Sequence, residues 1–138
     1  MVVQHGKDAT ATERSRYHSG ANDWYEYCLN NVRTALDIGS KYDWAIHAWE
    51  GAQHRHVYHA GHHIPFGAPV FSKGTSAYGH IFLAGGRFKN GARIFWTNDQ
   101  HGDGRITPVE LSFFSLHWGH KVLGWTEDLN GVDIPYLR

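Results

Sequence analysis

Residues 79–99 read GHIFLAGGRFKNGARIFWTND, and how this stretch folds decides the architecture of the chain. Two short runs rich in branched and aromatic residues, GHIFLAGG and ARIFWTND, flank glycine punctuation, which is the pattern of a β-hairpin. Working outward, APVFSKG (residues 68–74) and HKVLGWTEDL (120–129) share this texture, so an antiparallel sheet is expected. TPVELSFFSLHWG (107–119) is ambiguous: Pro108 suits the first turn of a helix, but a strand followed by loop fits equally well. QHRHVYHAGHHIPFGA (53–68) has no clear period and carries Gly61, Pro65 and Gly67, so it reads as loop.

Helices are expected before the strands. In ANDWYEYCLNNVRTALDIG (21–39), Trp24, Cys28, Val32, Ala35 and Leu36 fall at steps of three and four, on one helical face. Asn22 and Asp23 are candidate N-caps, and Gly39 is a plausible stop. YDWAIHAWEGA (42–52) predicts a second, short helix. Residues 1–20 lack apolar periodicity and read as a flexible N-terminal tail or linker, leaving residues 21–138 as one domain of α+β class.

Composition narrows the function. Of 138 residues, 41% are hydrophobic and 19% charged, which places the chain among globular proteins. Thirteen basic residues balance thirteen acidic ones, so no net field recruits nucleic acid or an anionic membrane. No apolar run is long enough to span a bilayer, and the polar N-terminus lacks the apolar core of a signal peptide. Twelve histidines are unusual; they could make the chain strongly positive near pH 5. A single cysteine, Cys28, forbids an intramolecular disulfide. Cys28 is therefore either a small buried apolar residue or a nucleophile.

Thiol catalysis needs a sulfur that can ionise, an imidazole that exchanges its proton, and a polar group that orients the imidazole. Cys28 lies near the start of the first expected helix, where the partial positive charge of a helix N-terminus favours a thiolate. His80 opens an apolar strand directly after Gly79. Across the hairpin, Thr97, Asn98 and Asp99 end the second strand near the level of His80, and one of them can orient the ring.

These features resemble the papain-like cysteine peptidases of the NlpC/P60 and CHAP type, which cut bacterial peptidoglycan. More narrowly, they are similar to peptidase domains of endolysins from phages of actinobacteria. The resemblance is carried by YCLNNVRTALDIGSKYDWAIHAW, by RH followed by IPFGAPVF, and by GHIFLAGG, FWTND and HWGHKVLGWTEDLNGVDIP. It runs from about residue 22 to 136, with LGWTEDLNGV its most specific piece. It departs from the family pattern in a loop with five histidines (His54, His56, His59, His62, His63) and in the acidic loop after Asp99.

The resemblance implies a papain-like fold, with N-terminal helices packed on an antiparallel sheet. It makes Cys28 the nucleophile, His80 the base and Asp99, in preference to Asn98, the orienting acid. It implies an endopeptidase or an N-acetylmuramoyl-L-alanine amidase that needs no cofactor and passes through a thioester. The Cys28 N–H would help to form the oxyanion hole, with Asn22, Tyr25 or Tyr27 as candidates for a second donor. Trp24, Tyr27 and Asn98 are expected to contact substrate. Trp44, Trp49 and Trp96 could line a groove for the glycopeptide, although core packing is the commoner role for such residues. The partner would be bacterial peptidoglycan, and the protein a monomer, as a module of a longer lysin. It would be made in host cytoplasm and released by a separate factor such as a holin.

Two other classes compete. NDQHGDGRITPVE (98–110) approximates a calcium loop that starts at Asp99, with Asp103, Gly104 and Glu110 at fitting positions and His101 misplaced. The β-rich ARIFWTND ahead of it cannot supply the incoming helix of an EF-hand. The histidine-rich loop at 53–63 has nitrogen enough for zinc but no recognised ligand spacing. A non-catalytic cell-wall-binding module, with Cys28 inert, is the remaining alternative.

Overall fold

The computed structural model describes residues 6–135 and 137. Its centre is a six-stranded sheet of β1 (Arg55–Val57), β2 (Pro69–Lys73), β3 (His80–Arg87), β4 (Arg93–Asn98), β5 (Ile106–Val109) and β6 (Lys121–Thr126). The spatial order is β1-β6-β2-β3-β4-β5, every pairing antiparallel. The hairpin read from residues 79–99 is β3–β4, with Leu83 opposite Trp96 and Ala84 opposite Phe95. Helix α1 (Gly6–Ser19), α2 (Cys28–Ala35) and α3 (Ala45–Gly51) precede the sheet, and α4 (Ser112–Trp118) joins β5 to β6. A small ribbon, β7 (Asp128–Leu129) with β8 (Val132–Asp133), follows. The chain is thus α+β, with N-terminal helices packed against an antiparallel sheet.

The central strands are buried along nearly their whole length, because helices cover both faces. Side chains alternate across a strand. On one face Trp96, opposite Leu83, meets Tyr17 of α1 at 5.8 Å between ring centroids. On the other face Phe82 stacks on Phe114 of α4, with centroids 3.8 Å apart. Phe71, Phe82, Phe114, Leu36, Ile81 and Leu83 are fully buried, and each such side chain contributes about 1.5–3 kcal/mol of burial.

Residues 6–19, expected as a flexible tail, are instead helix α1, which packs on α2 and the sheet. Its inward face is Gly6, Ala9, Thr10 and Glu13, helical in spacing but mostly not apolar, so hydrophobic periodicity could not reveal it. Gly6 lies against Gly67; a Cβ on Gly6 would come within 2.6 Å of the Gly67 Cα. Polar contacts complete the docking. The buried Glu13 carboxyl accepts from Asn31 Nδ2 (3.1 Å) and from Arg16 (3.3 Å). Arg16 also donates to Asn31 and to Thr34 of α2, and its guanidinium lies 4.3 Å from the centre of the Trp24 ring.

Burial pushes the Glu13 carboxyl up to about 8, against the opposing pull of Arg16 and Asn31. Between the ordinary value of 4.5 and about 8 the folded chain holds a proton that the unfolded chain has lost. Stability from this group is therefore full below the lower value and lost as pH rises through the window. Comparing chemical denaturation of the wild type with Glu13→Gln at pH 5 and pH 8 should show the wild type losing stability relative to the variant. The expected loss is on the order of a few kcal/mol.

The ending TEDLNG acts as a staple. Asp128 accepts from the N–H groups of Gln53 (2.9 Å) and His54 (3.1 Å), and Asn130 donates to the Gly39 carbonyl (2.9 Å). The segment thereby ties the chain after α2 and α3 to the end of β6. Within the expected loop 53–68, Arg55–Val57 pairs with β6 as the short edge strand β1. The ambiguous 107–119 stretch divides, its first part completing β5 and its second forming α4.

Candidate active site

Helix α2 begins later than its sequence suggests. Neither Asn22 nor Asp23 caps it; residues 24–27 form a turn closed by Tyr27 N–H to the Trp24 carbonyl (2.9 Å), and Cys28 is the first helical residue. No side chain caps this end, so the first-turn N–H groups are left for other acceptors. The helix also ends early, at Ala35, with Asp37 in a left-handed conformation in place of a stop at Gly39.

Cys28 is half-buried in a cleft of ≈ 460 Å³ whose lining includes Tyr27, Asp43, Trp44, Tyr78, His80 and Asn98. The two residues expected as nucleophile and base therefore share one cleft. They reach it from different sides. Cys28 stands at the head of α2, and its sulfur faces the backbone N–H of Ile81 in β3. The His80 ring lies among Phe82, Phe114, Trp118 and His120, with centroids 5.0–6.3 Å away. No hydrogen bond joins the thiol to the imidazole; among the described residues the one side-chain bond of His80 is Nε2 to Thr97 Oγ1, at 2.8 Å.

That bond fixes the tautomer. Thr97 has one hydroxyl proton, and it goes to the Asn98 carbonyl (3.0 Å), which can only accept. Thr97 Oγ1 must therefore accept from His80, so Nε2 carries the ring proton and Nδ1 keeps its lone pair. Among the described residues Nδ1 has no hydrogen-bond partner, and His80 lines the cleft.

Asp99, expected to orient the ring, does other work. Continuing the β3–β4 register sets it level with His80, but the residue has left the strand with φ 61°. Its carboxylate accepts from the N–H of Glu26 (2.7 Å), the N–H of Gly104 (2.9 Å) and Asn98 Nδ2 (3.1 Å). Glu26 itself sits at φ 60°, an uncommon conformation for a non-glycine residue, two positions before the cysteine. Asp99 thus clamps the turn that presents Cys28. The side-chain contact to the ring comes instead from Thr97, two residues earlier and still within β4.

The 99–105 turn, which resembled a calcium loop, is the β4–β5 connection. Gly104, at φ 74°, lies flat against residues 22–25; its carbonyl accepts from the Trp24 N–H (3.1 Å), and a Cβ there would strike the Asn22 carbonyl. Asp103 Oδ1 accepts the N–H of Arg105. Among the described residues, no three His, Cys, Asp or Glu side chains form a group that could hold a metal ion, in this turn or in the histidine-rich loop. There, His56 stacks on Trp125 (3.9 Å) and pairs with Glu127 (2.7 Å).

The expected substrate residues divide. Tyr27 and Asn98 line the cleft. Trp24 does not; it packs beneath Arg16 and is held through its backbone by Gly104 and Asn98. Trp44 stacks on Tyr78 at the cleft, with centroids 4.0 Å apart, whereas Trp49 and Trp96 belong to the core.

Electrostatics keep the pair neutral at rest. Burial pushes the Cys28 thiol up to about 11 against stabilising N–H groups of Ile81 and Leu29, and the Asp99 charge adds to the rise. Burial, helped by His120, pushes His80 down to about 3. Burial also raises the Asp99 carboxyl, against the N–H groups of Glu26 and Gly104. Proton transfer from sulfur to nitrogen would therefore accompany attack rather than precede it.

Comparison with protein families, with curated proteins and with solved structures finds no match to this chain.

Proposed function

We propose that this chain is a cysteine hydrolase of bacterial peptidoglycan, of papain-like NlpC/P60 or CHAP type, cutting a peptide or amide bond of the stem peptide. The observation that supports this most is the shared cleft of Cys28 and His80, with Thr97 holding the imidazole in the tautomer whose free nitrogen can act as a base. As the Cys28 sulfur attacks a carbonyl carbon, its proton passes to Nδ1 of His80. The oxyanion is received by N–H groups at the uncapped start of α2, with that of Cys28 the first candidate. The intermediate collapses to a thioester, and the leaving amine takes the proton from His80. Water, deprotonated by the same ring, then hydrolyses the thioester and restores the thiol.

Thr97 takes the orienting role that Asp99 had been expected to fill, and a neutral partner suits an imidazole held neutral at rest. In a phage context the protein would be made in the host cytoplasm and reach the wall when a separate factor opens the membrane.

Inhibition separates this chemistry from metal-dependent hydrolysis. Wall-lytic activity is expected to survive EDTA and to be lost after alkylation with iodoacetamide. Loss with EDTA and survival after alkylation would reverse the assignment.

One observation favours a second reading, a wall-binding module without catalysis. The thiol and the imidazole are not hydrogen-bonded, and burial disfavours the charged form of both. Binding to purified walls without release of any fragment would establish it.

A further inference from the structure

Arg16 of α1 touches both ends of the segment that carries Cys28. Its guanidinium lies 4.3 Å from the centre of the Trp24 ring, and its Nη1 donates to the backbone carbonyl and to Oδ1 of Asn31, each at 2.8 Å. Between these contacts the backbone makes two consecutive turns. Tyr27 N–H donates to the Trp24 carbonyl and Asn31 N–H to the Tyr27 carbonyl, both at 2.9 Å, and Cys28 sits in the second turn. From the sheet side, Asn98 and Gly104 hold Trp24 through its backbone. Arg16 holds it through the ring.

The grip on α2 is buried and directional. Asn31 and Glu13 are fully buried. Arginine can only donate, which fixes the Asn31 amide with Oδ1 toward Arg16 and Nδ2 toward the Glu13 carboxyl (3.1 Å). Within the gripped segment Glu26 has φ 60°, and such a conformation persists only where its surroundings over-determine it. Neither Arg16 nor Trp24 lines the cleft, so any effect they have on the reaction passes through Cys28. The thiol and the imidazole share that cleft without a hydrogen bond, so their approach depends on how residues 24–31 are held.

We propose that Arg16 is a positioning residue for Cys28: by bridging Trp24 and Asn31 it sets the approach of the sulfur to His80. Helix α1 is then part of the working enzyme and not only a cover for the sheet. The inference rests on the proposed hydrolase and adds a residue to its machinery from outside the cleft.

The test compares Arg16→Met, Arg16→Lys, Trp24→Leu and the double variant Arg16→Met with Trp24→Leu, each shown by circular dichroism to be folded at the assay temperature. Cleavage of soluble peptidoglycan fragments gives kcat and KM. In Arg16→Met and in Trp24→Leu, kcat is expected to fall about 10- to 100-fold, the scale of a small misplacement of a reacting atom, with KM changed less than about twofold. Arg16→Lys should recover part of the loss, because an ammonium keeps a charge over the ring but lacks the planar fork. The double variant should fall no further than the worse single one, as residues acting through one contact do. Trp24→Leu leaves the Arg16–Asn31 bonds in place, so it carries the test if Arg16→Met does not fold. Unchanged kcat in a folded single variant, a loss confined to KM, or losses that multiply in the double variant would each overturn the proposal.

A second readout separates it from the hydrolase. Cys28 is the chain's one thiol, so its rate of alkylation by iodoacetamide reports the setting of the sulfur without any turnover. Loosening the segment should raise that rate by at least about threefold in Trp24→Leu, by opening access to the sulfur. Faster alkylation of the variant, together with no cleavage by the wild type, removes only the hydrolase. Cleavage by the wild type, with kcat and alkylation rate both unchanged in the variant, removes only the positioning role.

Discussion

Replacing Cys28 with alanine is expected to lower the rate of cell-wall lysis to background, a loss of at least about 10⁴-fold, the scale set by removing other nucleophiles that act through a covalent intermediate. The fold should be unaffected, because Cys28 is only partly buried at the head of α2, and the core closes beneath it through Leu29 and Val32. His80→Ala should cost roughly 10²–10⁴-fold, the usual worth of a general base. Thr97→Val makes the sharper test. It keeps the shape of the side chain and removes the oxygen that accepts the Nε2 proton, so the ring loses its fixed tautomer. A smaller fall than that of His80→Ala is expected, of about 10- to 100-fold. The three replacements should therefore rank Cys28, His80, Thr97, as turbidity loss of a wall suspension can measure. Full activity of Thr97→Val beside a dead Asp99→Asn would return the orienting role to the acid.

Gly104→Val should have the second large effect, although residue 104 does not line the cleft. Two costs combine there. The left-handed φ of 74° strains any side chain, at about 1–3 kcal/mol, and the new Cβ would collide with the Asn22 carbonyl and come within 2.9 Å of the Tyr25 nitrogen. The turn must then lift from residues 22–25 and loosen the contact of Asp99 with the Glu26 N–H, which sets the approach to Cys28. A displacement of about 1 Å at a reacting atom is enough to cost roughly 10²-fold in rate. Gly102→Ala is the control. Its φ is similar, at 68°, but a Cβ there meets nothing within 4 Å. It should carry the backbone strain and leave the lysis rate near that of the wild type. Equal losses in the two variants would show that strain alone, and not the close approach, matters.

The sheet was legible because its strands are apolar, branched and separated by glycine, and the β3–β4 hairpin falls where residues 79–99 place it. Helix α1 was not, because it docks through Thr10, Glu13 and Arg16, and polar residues carry no hydrophobic period. The meeting of Cys28 and His80 in one cleft followed from a leading helix and the first residue of a strand. The choice among Thr97, Asn98 and Asp99 did not. Register alone favours Asp99, and only the left-handed turn at that residue, together with the N–H groups of Glu26 and Gly104, draws its carboxylate away. The sequence pattern of a calcium loop came from the same cause. A tight acidic turn with glycines is what a close-packed β4–β5 connection needs, with or without a metal.

The most direct test is chemical identification of what the protein releases. Purified peptidoglycan from a susceptible actinobacterium would be digested with the wild type and with the Cys28→Ala chain, and the soluble fragments read by mass spectrometry. The wild type is expected to yield fragments with one new amine and one new carboxyl group, from a single type of bond in the stem peptide or at the lactoyl–alanine junction, and the variant is expected to yield none. Identical fragments from both chains, or none from the wild type, would contradict a thiol hydrolase built on Cys28.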